Sequence, residues 1–534
     1  MRKKLPLGIQ DFEKLIKDNA LYVDKTQYIY DLITSGAIYF LSRPRRFGKS
    51  LLISTLDALF SGKKELFDGL WIRQNTDYEF PVHPVIRIDM SKIANETGAQ
   101  YEQGLKDYLQ EIADSYQIKL DLSKPLKTCF DHLIDILAKT GKVVILIDEY
   151  DKAIIDHLGK DIELAKKNRD IMKQFYGCLK SQDANIRFLL MTGVSKFSKV
   201  SVFSDLNHLT DLTMNRRYAG MLGYTQAELE CSFIDYFQEI SESEGLARQE
   251  IFNQMKEWYN GYQFSSDEMM KVYNPFSCLN YFNKKEFSGF WFESGTPTFL
   301  VELIKTQAYD FTVLDEYKAE EDMFSVYELE NLNILSLLVQ TGYLTIKGKA
   351  GIRYILGYPN YEVKNGFITH LLKHLTRENT EIHDLIWNLA EALNNEDLEL
   401  FFDISKQIFL EIPYDIHLKE EKYWQSLWYL IIKMVGLKAS AEYRTNRGRV
   451  DMVVETSKSV YVFELKINGR DARPYVSGMP PTRVYTPDDA IAQIIKKGYA
   501  DEFADRYVYF VGVVFDLELK NIKEWKVIKN GLQK

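Results

Sequence analysis

The 534-residue chain reads as an α/β protein. It is expected to hold a three-layer parallel-sheet domain, a helical middle region and a second, smaller α/β domain. Three observations support this. Up to about residue 235, short apolar runs alternate with longer amphipathic stretches, the pattern of buried parallel strands joined by helices. Gly48-Lys49-Ser50 falls between one such run and a good helix former, "SLLISTLDALF". Near the C-terminal end, "RVDMVVET" and "SVYVFELKI" read as paired strands, followed by the helical "DDAIAQIIKKGYADEF" and the strand-like "RYVYFVGVVFD".

The first domain is placed at 1–235, with strands at "AIYFLS" (37–42), "HPVIRIDM" (83–90), "KVVILIDEY" (142–150) and "IRFLLMTGV" (186–194). From 236 to 375 the pattern turns helical. Turn clusters stand at "YNGYQFSSDE" and "ESGTPTFL", and "GYLTIKGKAGIRYILGYPN" (342–360) reads as a small β-ribbon of a winged-helix-like module. Residues 376–405 read as charged amphipathic helices linking to a last domain at 406–534. A hydrophobic content of 46% excludes a disordered chain, and the net charge of −9 confines any nucleic-acid contact to local basic patches. The four cysteines fit no zinc or disulfide spacing and read as reduced thiols. No run of about 18 apolar residues occurs, and no signal-like leader opens the chain, so a cytoplasmic protein without a membrane span is expected.

Gly48-Lys49-Ser50 is the ending of the phosphate-binding loop, G-x-x-x-x-G-K-[ST]. Such loops surround an anion with backbone N–H groups at a helix start. Gly48 would let the backbone approach, Lys49 would reach the β- and γ-phosphates, and the Ser50 hydroxyl would serve Mg²⁺. Arg43 stands where the first glycine belongs. That glycine mainly eases the turn out of the strand, and Pro44, with its fixed φ, can set the turn another way. In "VVILIDEYD", Asp148 and Glu149 end a buried strand, where open α/β sheets bind ligands. Asp148 is expected to hold the Mg²⁺ water shell, and Glu149 to orient or deprotonate the attacking water. Thr192 and Ser195 end a third strand, where a polar group would face the γ-phosphate.

Together "LPLGIQDFEKL", "YVDKTQYIYDLI", "FLSRPRRFGKSLLISTL", "VILIDEYDKAI", "MTGVSKFSKVSVFSDLNHLTDL" and "YNPFSCLNYF" resemble the AAA-ATPase-like family of bacteria and archaea. Its members usually join a P-loop NTPase domain to a PD-(D/E)XK nuclease domain. The resemblance covers nearly the whole chain. Members typically read R-P-R-R-F-G-K-S at the loop, which makes Arg43 the family's own variant. The resemblance implies an ATP site formed by Arg45, Arg46, Phe47, Gly48, Lys49, Ser50, Leu51, Asp148 and Thr192. Ser50 and Asp148 would be the metal ligands and Glu149 the catalytic residue. Tyr22, Asp24 and Lys25 stand where relatives line the adenine pocket; a helix N-cap at Asp24 is the equal alternative. Arg216 and Arg217 are arginine-finger candidates, or solubility and phosphate contacts.

In the C-terminal domain, Asp451 precedes Glu464 and Lys466 in the D…E-x-K pattern of PD-(D/E)XK nucleases. Strand periodicity puts Glu464 and Lys466 on one face, and a hairpin between 455 and 459 would bring Asp451 beside them. Two carboxylates sharing a site bind Mg²⁺ or Mn²⁺, and a neighbouring lysine stabilises the attacking water. Asp451 and Glu464 are thus the expected metal ligands beside Lys466, and the resemblance implies a restriction-endonuclease-like site in which Gln493, on the following helix, faces the metal centre. Glu442 supports it, and Glu421 marks either an acidic residue on the first core helix or a solvent-facing acid. A Pro- and Gly-rich stretch, 470–485, reads as a surface loop inserted between the E-x-K strand and the Gln493 helix. His370 and His374 have metal-ligand spacing but no acidic partner, which favours a solvated helix face. The expected function is ATP binding and hydrolysis with a fused nuclease acting on DNA, in defence or mobile-element biology, in a possible homo-oligomer. The rival is an ATP-regulated switch or scaffold that binds nucleic acid or a partner without cleaving.

Overall fold

The computed structural model describes residues 2–196, 209–266, 270–293, 314, 316–320, 333–375, 381–410, 427–429, 431–432, 438–445, 448–456, 458–468, 484–497 and 506–530. The chain forms two compact units: Met1–Glu302 with Tyr317–Lys364, and Leu303–Glu316 with Asn365–Lys534.

In the first unit, β1 (Ile38–Ser42), β2 (Val85–Asp89), β3 (Val143–Asp148), β4 (Ile186–Gly193) and β5 (Thr210–Asp211) form one parallel sheet in the order β2-β3-β4-β1-β5. The four apolar runs of the sequence are β1 to β4. Every residue of β1 and β3 is buried, as expected of strands covered on both faces. The helix Lys49–Phe60 packs against β2, β3 and β4. Helices Gly98–Ser115, Leu126–Ala138 and Ile162–Tyr176 pack on one another. The strand order places β4 between β1 and β3. The loop leaving β1 and the acids ending β3 therefore flank the end of β4, with Leu41 level with Thr192 and Ile147 level with Met191.

The middle of this unit is helical, from Gln226–Ser232 through Pro275–Lys284, around an aromatic core. Phe233 and Phe282 stack there at 4.7 Å. The expected ribbon forms as β7 (Thr345–Ala350) and β8 (Arg353–Gly357), joined by β6 (Tyr317–Ala319) in the antiparallel order β6-β8-β7.

The second unit carries β9 (Lys438–Thr445), β10 (Gly448–Glu455), β11 (Ser459–Asn468), β12 (Tyr507–Asp516) and β13 (Asn521–Asn530), in the order β13-β12-β11-β10-β9. Only β11 and β12 run parallel, and a parallel pair needs a crossover. The helix Pro487–Lys497 lies within that crossover and packs on both strands. Gly512 of β12 permits the close approach, since a Cβ there would meet the Pro487 carbonyl oxygen at 2.3 Å.

Candidate nucleotide and metal sites

The phosphate loop begins where β1 ends. Arg43, in the first-glycine position, turns its side chain into the interior, where it is 1% exposed. Its guanidinium donates to the carbonyls of Ser42 (2.9 Å), Thr213 (2.7 Å) and Tyr218 (3.4 Å) and lies 4.1 Å from the Phe264 ring centre. Burial pushes its pKa down to about 9. An arginine thus anchors the turn that a glycine usually eases.

Two residues of the loop adopt left-handed backbone, Arg46 at φ 68° and Gly48 at φ 91°. Gly48 takes this without strain, whereas Arg46 bears the cost of a Cβ. The loop is held in shape by the middle of the unit. Phe47 is buried against Tyr262 (4.8 Å) and Phe264 (5.5 Å), the Arg46 guanidinium sits over Phe276 (4.9 Å), and the Trp291 indole N–H donates to the Arg45 carbonyl (3.0 Å). Lys49 heads the following helix, and its ammonium donates to the carbonyls of Arg43 (2.9 Å) and Pro44 (3.0 Å). Burial lowers its pKa, opposed by the charges of Asp148, Glu149 and Asp151.

At the end of β3, the buried Asp148 carboxylate accepts from the Thr192 hydroxyl (2.6 Å) and from the Glu149 N–H (3.1 Å). Thr192 is fully buried and therefore orients Asp148. Glu149 sits at φ 52°, half-buried, with its pKa raised by burial against the pull of Lys49. One residue escaped the sequence expectations. Asp151 is buried, and its carboxylate accepts from the N–H groups of Val194 (3.1 Å) and Ser195 (2.6 Å) and from the Ser195 hydroxyl (2.5 Å). It fixes the turn after β4, which accounts for Ser195. An acid three residues past Asp148 in "IDEYD" is the signal that could have found it.

A cleft of about 390 Å³ gathers Arg45, Arg46, Gly48, Lys49, Ser50, Leu51 and Glu149. A smaller, mostly apolar pocket of about 80 Å³ shares Gly48 and Leu51 with it and is walled by Phe47, Tyr22, Val23, Lys25 and Leu222. Neither Asp148 nor Thr192 lines the cleft, and Thr192, expected to face the γ-phosphate, gives its hydroxyl to Asp148 instead. Asp24 accepts from the Thr26 N–H (2.8 Å) and hydroxyl (2.7 Å) at the start of the helix Thr26–Ser35, and from the Trp71 N–H (2.6 Å). Lys25 bonds Glu228 (2.6 Å) and the Gly220 carbonyl (2.8 Å). Arg217 bonds Asp31 and Ser35, and neither Arg216 nor Arg217 lines the cleft.

In the second unit, β10 and β11 pair antiparallel down to Met452 and Phe463. There the Asp451 carboxylate takes the Leu465 N–H (2.7 Å), inserting itself into the ladder. Glu464, 1% exposed, receives the Lys466 ammonium on Oε1 (3.1 Å), and the Gln493 amide, carried by the helix Pro487–Lys497, meets the same oxygen. The four expected residues therefore come together. Burial, followed by the negative charge of Asp451, pushes the Glu464 pKa up to about 7. Its Oε2 is buried and has no hydrogen-bond partner among the described residues. An orphaned carboxylate oxygen beside a second carboxylate fits a divalent cation. Among the described residues no cluster of three or more ligating side chains occurs. Glu442 lies on β9 between Ala441 and Tyr443, which pair with Met452 and Val450, and so falls level with Asp451. Glu421 and the side chain of His374 lie outside the described residues, and His370 is half-buried on the helix Tyr361–Leu375.

The inserted stretch lies outside the described residues from 469 to 483. Its flanks are joined: the Asn468 amide donates to the Tyr485 carbonyl and the Tyr485 N–H donates to the Asn468 side chain, both at 2.8 Å. Excising 470–484 and bridging with two glycines should leave this clip intact. Loop closure entropy changes only slowly with length, so the thermal midpoint should hold within roughly 3 °C. Loss of cooperative melting in that variant would show that the stretch belongs to the core.

Fold and sites together define a phosphate-loop ATPase-like domain fused to a nuclease-fold domain. Residues 6–203 match the family described as predicted AAA-ATPase, and 419–525 match the PD-(D/E)XK nuclease superfamily. A protein of Azotobacter chroococcum mcd 1, described as an uncharacterized protein in the vnfD 5' region, is 35% identical over 535 residues, covering 98% of each chain. The chain belongs to the AAA-ATPase-like family, with a PD-(D/E)XK nuclease superfamily domain at its C-terminal end. Among the described residues no helix is long and apolar enough to cross a membrane.

Proposed function

We propose that the protein binds and hydrolyses ATP at the cleft of the first unit and cleaves DNA at the carboxylate pair of the second. One observation carries both halves. Each site sets a buried acid beside a lysine, Asp148 and Asp151 near Lys49 and Glu464 near Lys466, an arrangement that costs stability unless it serves a charged ligand.

In the first site Lys49 would leave the loop carbonyls for the β- and γ-phosphates, and Glu149 would take the proton of the attacking water. Thr192 holds Asp148 in place, and Ser50 with Asp148 would hold Mg²⁺. In the second, Asp451 and Glu464 would hold Mg²⁺ or Mn²⁺, Gln493 orients Glu464, and Lys466 steadies the attacking water. A bound divalent cation would supply charge neutralisation at phosphoryl oxygens. The biological setting in this proposal is DNA defence or mobile-element control in the cytoplasm.

A net charge of −9 favours one rival, an ATP-regulated switch that binds nucleic acid without cutting it. Plasmid and oligonucleotide cleavage with Mg²⁺ or Mn²⁺, with and without ATP, separates the two. Nicking by wild type supports the nuclease; binding without any strand scission supports the switch. For the ATP half, Lys49→Ala should weaken binding of a fluorescent ATP analogue by at least about a hundredfold, since it deletes the charge aimed at the phosphates. Equal binding by wild type and variant would refute the nucleotide assignment.

A further inference from the structure

We infer that Trp291 is a positioning residue for the nucleotide site, setting the phosphate loop from 246 residues away along the chain. The inference rests on the reading of the cleft as an ATP site. The indole N–H donates to the Arg45 carbonyl, in the peptide unit that Arg45 shares with the left-handed Arg46. A trans peptide is planar, with C=O and N–H pointing in opposite directions. Drawing the Arg45 carbonyl onto the indole therefore turns the Arg46 N–H away from Trp291. Phosphate loops work through the direction of such N–H groups.

The indole is itself fixed on three sides. Its backbone N–H donates to Glu362 Oε1 (2.6 Å), and the other oxygen of that buried carboxylate takes the Ser277 hydroxyl (2.8 Å). The ring packs against Tyr343 (5.2 Å) and Tyr262 (6.5 Å), and Tyr262 also packs on Phe47 of the loop. A buried tryptophan commonly finds an acceptor for its N–H. Here the acceptor is the carbonyl next to the one non-glycine residue between Arg43 and Lys49 that adopts left-handed backbone. A side chain fixed by a buried carboxylate and spent on that carbonyl controls the loop's shape.

Calorimetric titration of the full chain with a non-hydrolysable ATP analogue and Mg²⁺ tests this, comparing wild type, Trp291→Phe, Ser277→Ala and Lys49→Ala. Trp291→Phe keeps an aromatic ring and loses the donor. Its Kd is expected to rise about tenfold, the scale of one lost hydrogen bond, at unchanged stoichiometry. Ser277→Ala, which loosens Glu362 without touching the aromatic wall, should raise Kd about threefold. A purely structural tryptophan would lower the stoichiometry and leave Kd alone, and that result overturns the inference. So does a Kd within twofold of wild type in both variants while Lys49→Ala abolishes binding, which would leave the ATP reading standing. Should Trp291→Phe fail to fold, the Ser277→Ala Kd decides. Wild type that binds no analogue refutes the ATP reading itself.

Discussion

Asp451→Ala should abolish metal-dependent cleavage of DNA, by about a thousandfold or more. Asp451 is one of two carboxylates at the second site, and its side chain also interrupts the ladder between β10 and β11 by taking the Leu465 N–H. Its loss should remove one expected metal ligand and release the strand that carries Glu464. A bound cation contributes several kcal/mol of stabilisation to a developing phosphorane, and each 1.36 kcal/mol is tenfold in rate. The proposed nucleotide site lies in the other compact unit, so analogue binding should stay within twofold of wild type. Supercoiled plasmid incubated with Mn²⁺ and resolved on agarose measures the first effect. Residual nicking above about a tenth of the wild-type rate would move the metal site elsewhere.

Glu149→Gln should separate binding from turnover. The substitution keeps the size of the side chain and removes its basicity, so ATP should remain bound while hydrolysis slows by at least about a hundredfold. Burial already raises the pKa of Glu149, which makes it a better proton acceptor, and Lys49 holds that rise in check. Phosphate release measured at saturating ATP, beside analogue binding, reads both quantities. Unchanged hydrolysis would give the water-activating role to another group, and Asp151 would be the next to test.

The elements that sequence made visible are those with one dominant physical signal. β1, β3, β4 and β12 are near-continuous apolar runs, and a strand buried on both faces has no other way to look; β2, at an edge of its sheet, is legible through Val85, Ile86 and Ile88. β9 and β13 escaped because they are edge strands: "KASAEYRT" and "NIKEWKVIKN" are rich in charge, as edges that must not pair further tend to be. β5 has two residues and no periodicity to detect. The same contrast holds at the sites. Lys49, Asp148, Glu464 and Lys466 could be named because short motifs carry them. Trp291 and Glu362 could not, since their meaning depends on a loop more than two hundred residues distant. Arg43 looked like a missing glycine and is a buried anchor, a fact that only its three carbonyl partners reveal.

The walls of the phosphate loop have a consequence for the order in which the protein matures on the ribosome. The loop ends at Ser50, but Tyr262, Phe264, Phe276 and Trp291, which hold it, are translated much later. Gly342 is later still; a Cβ there would meet the Pro44 ring at 2.6 Å. At roughly 5–20 residues per second, close to 300 further residues take about 15–60 s to synthesise. Once Asp211 has been made, the strands of the first sheet are available to pair, while the loop still lacks the surfaces that shape it. If the cleft holds ATP as proposed, a nascent chain should not retain it until synthesis has nearly reached Lys364, where the first compact unit ends. Competence to bind ATP would then arise as the nuclease-bearing part begins to emerge, and a chain truncated in between would carry the phosphate-loop motif without its affinity.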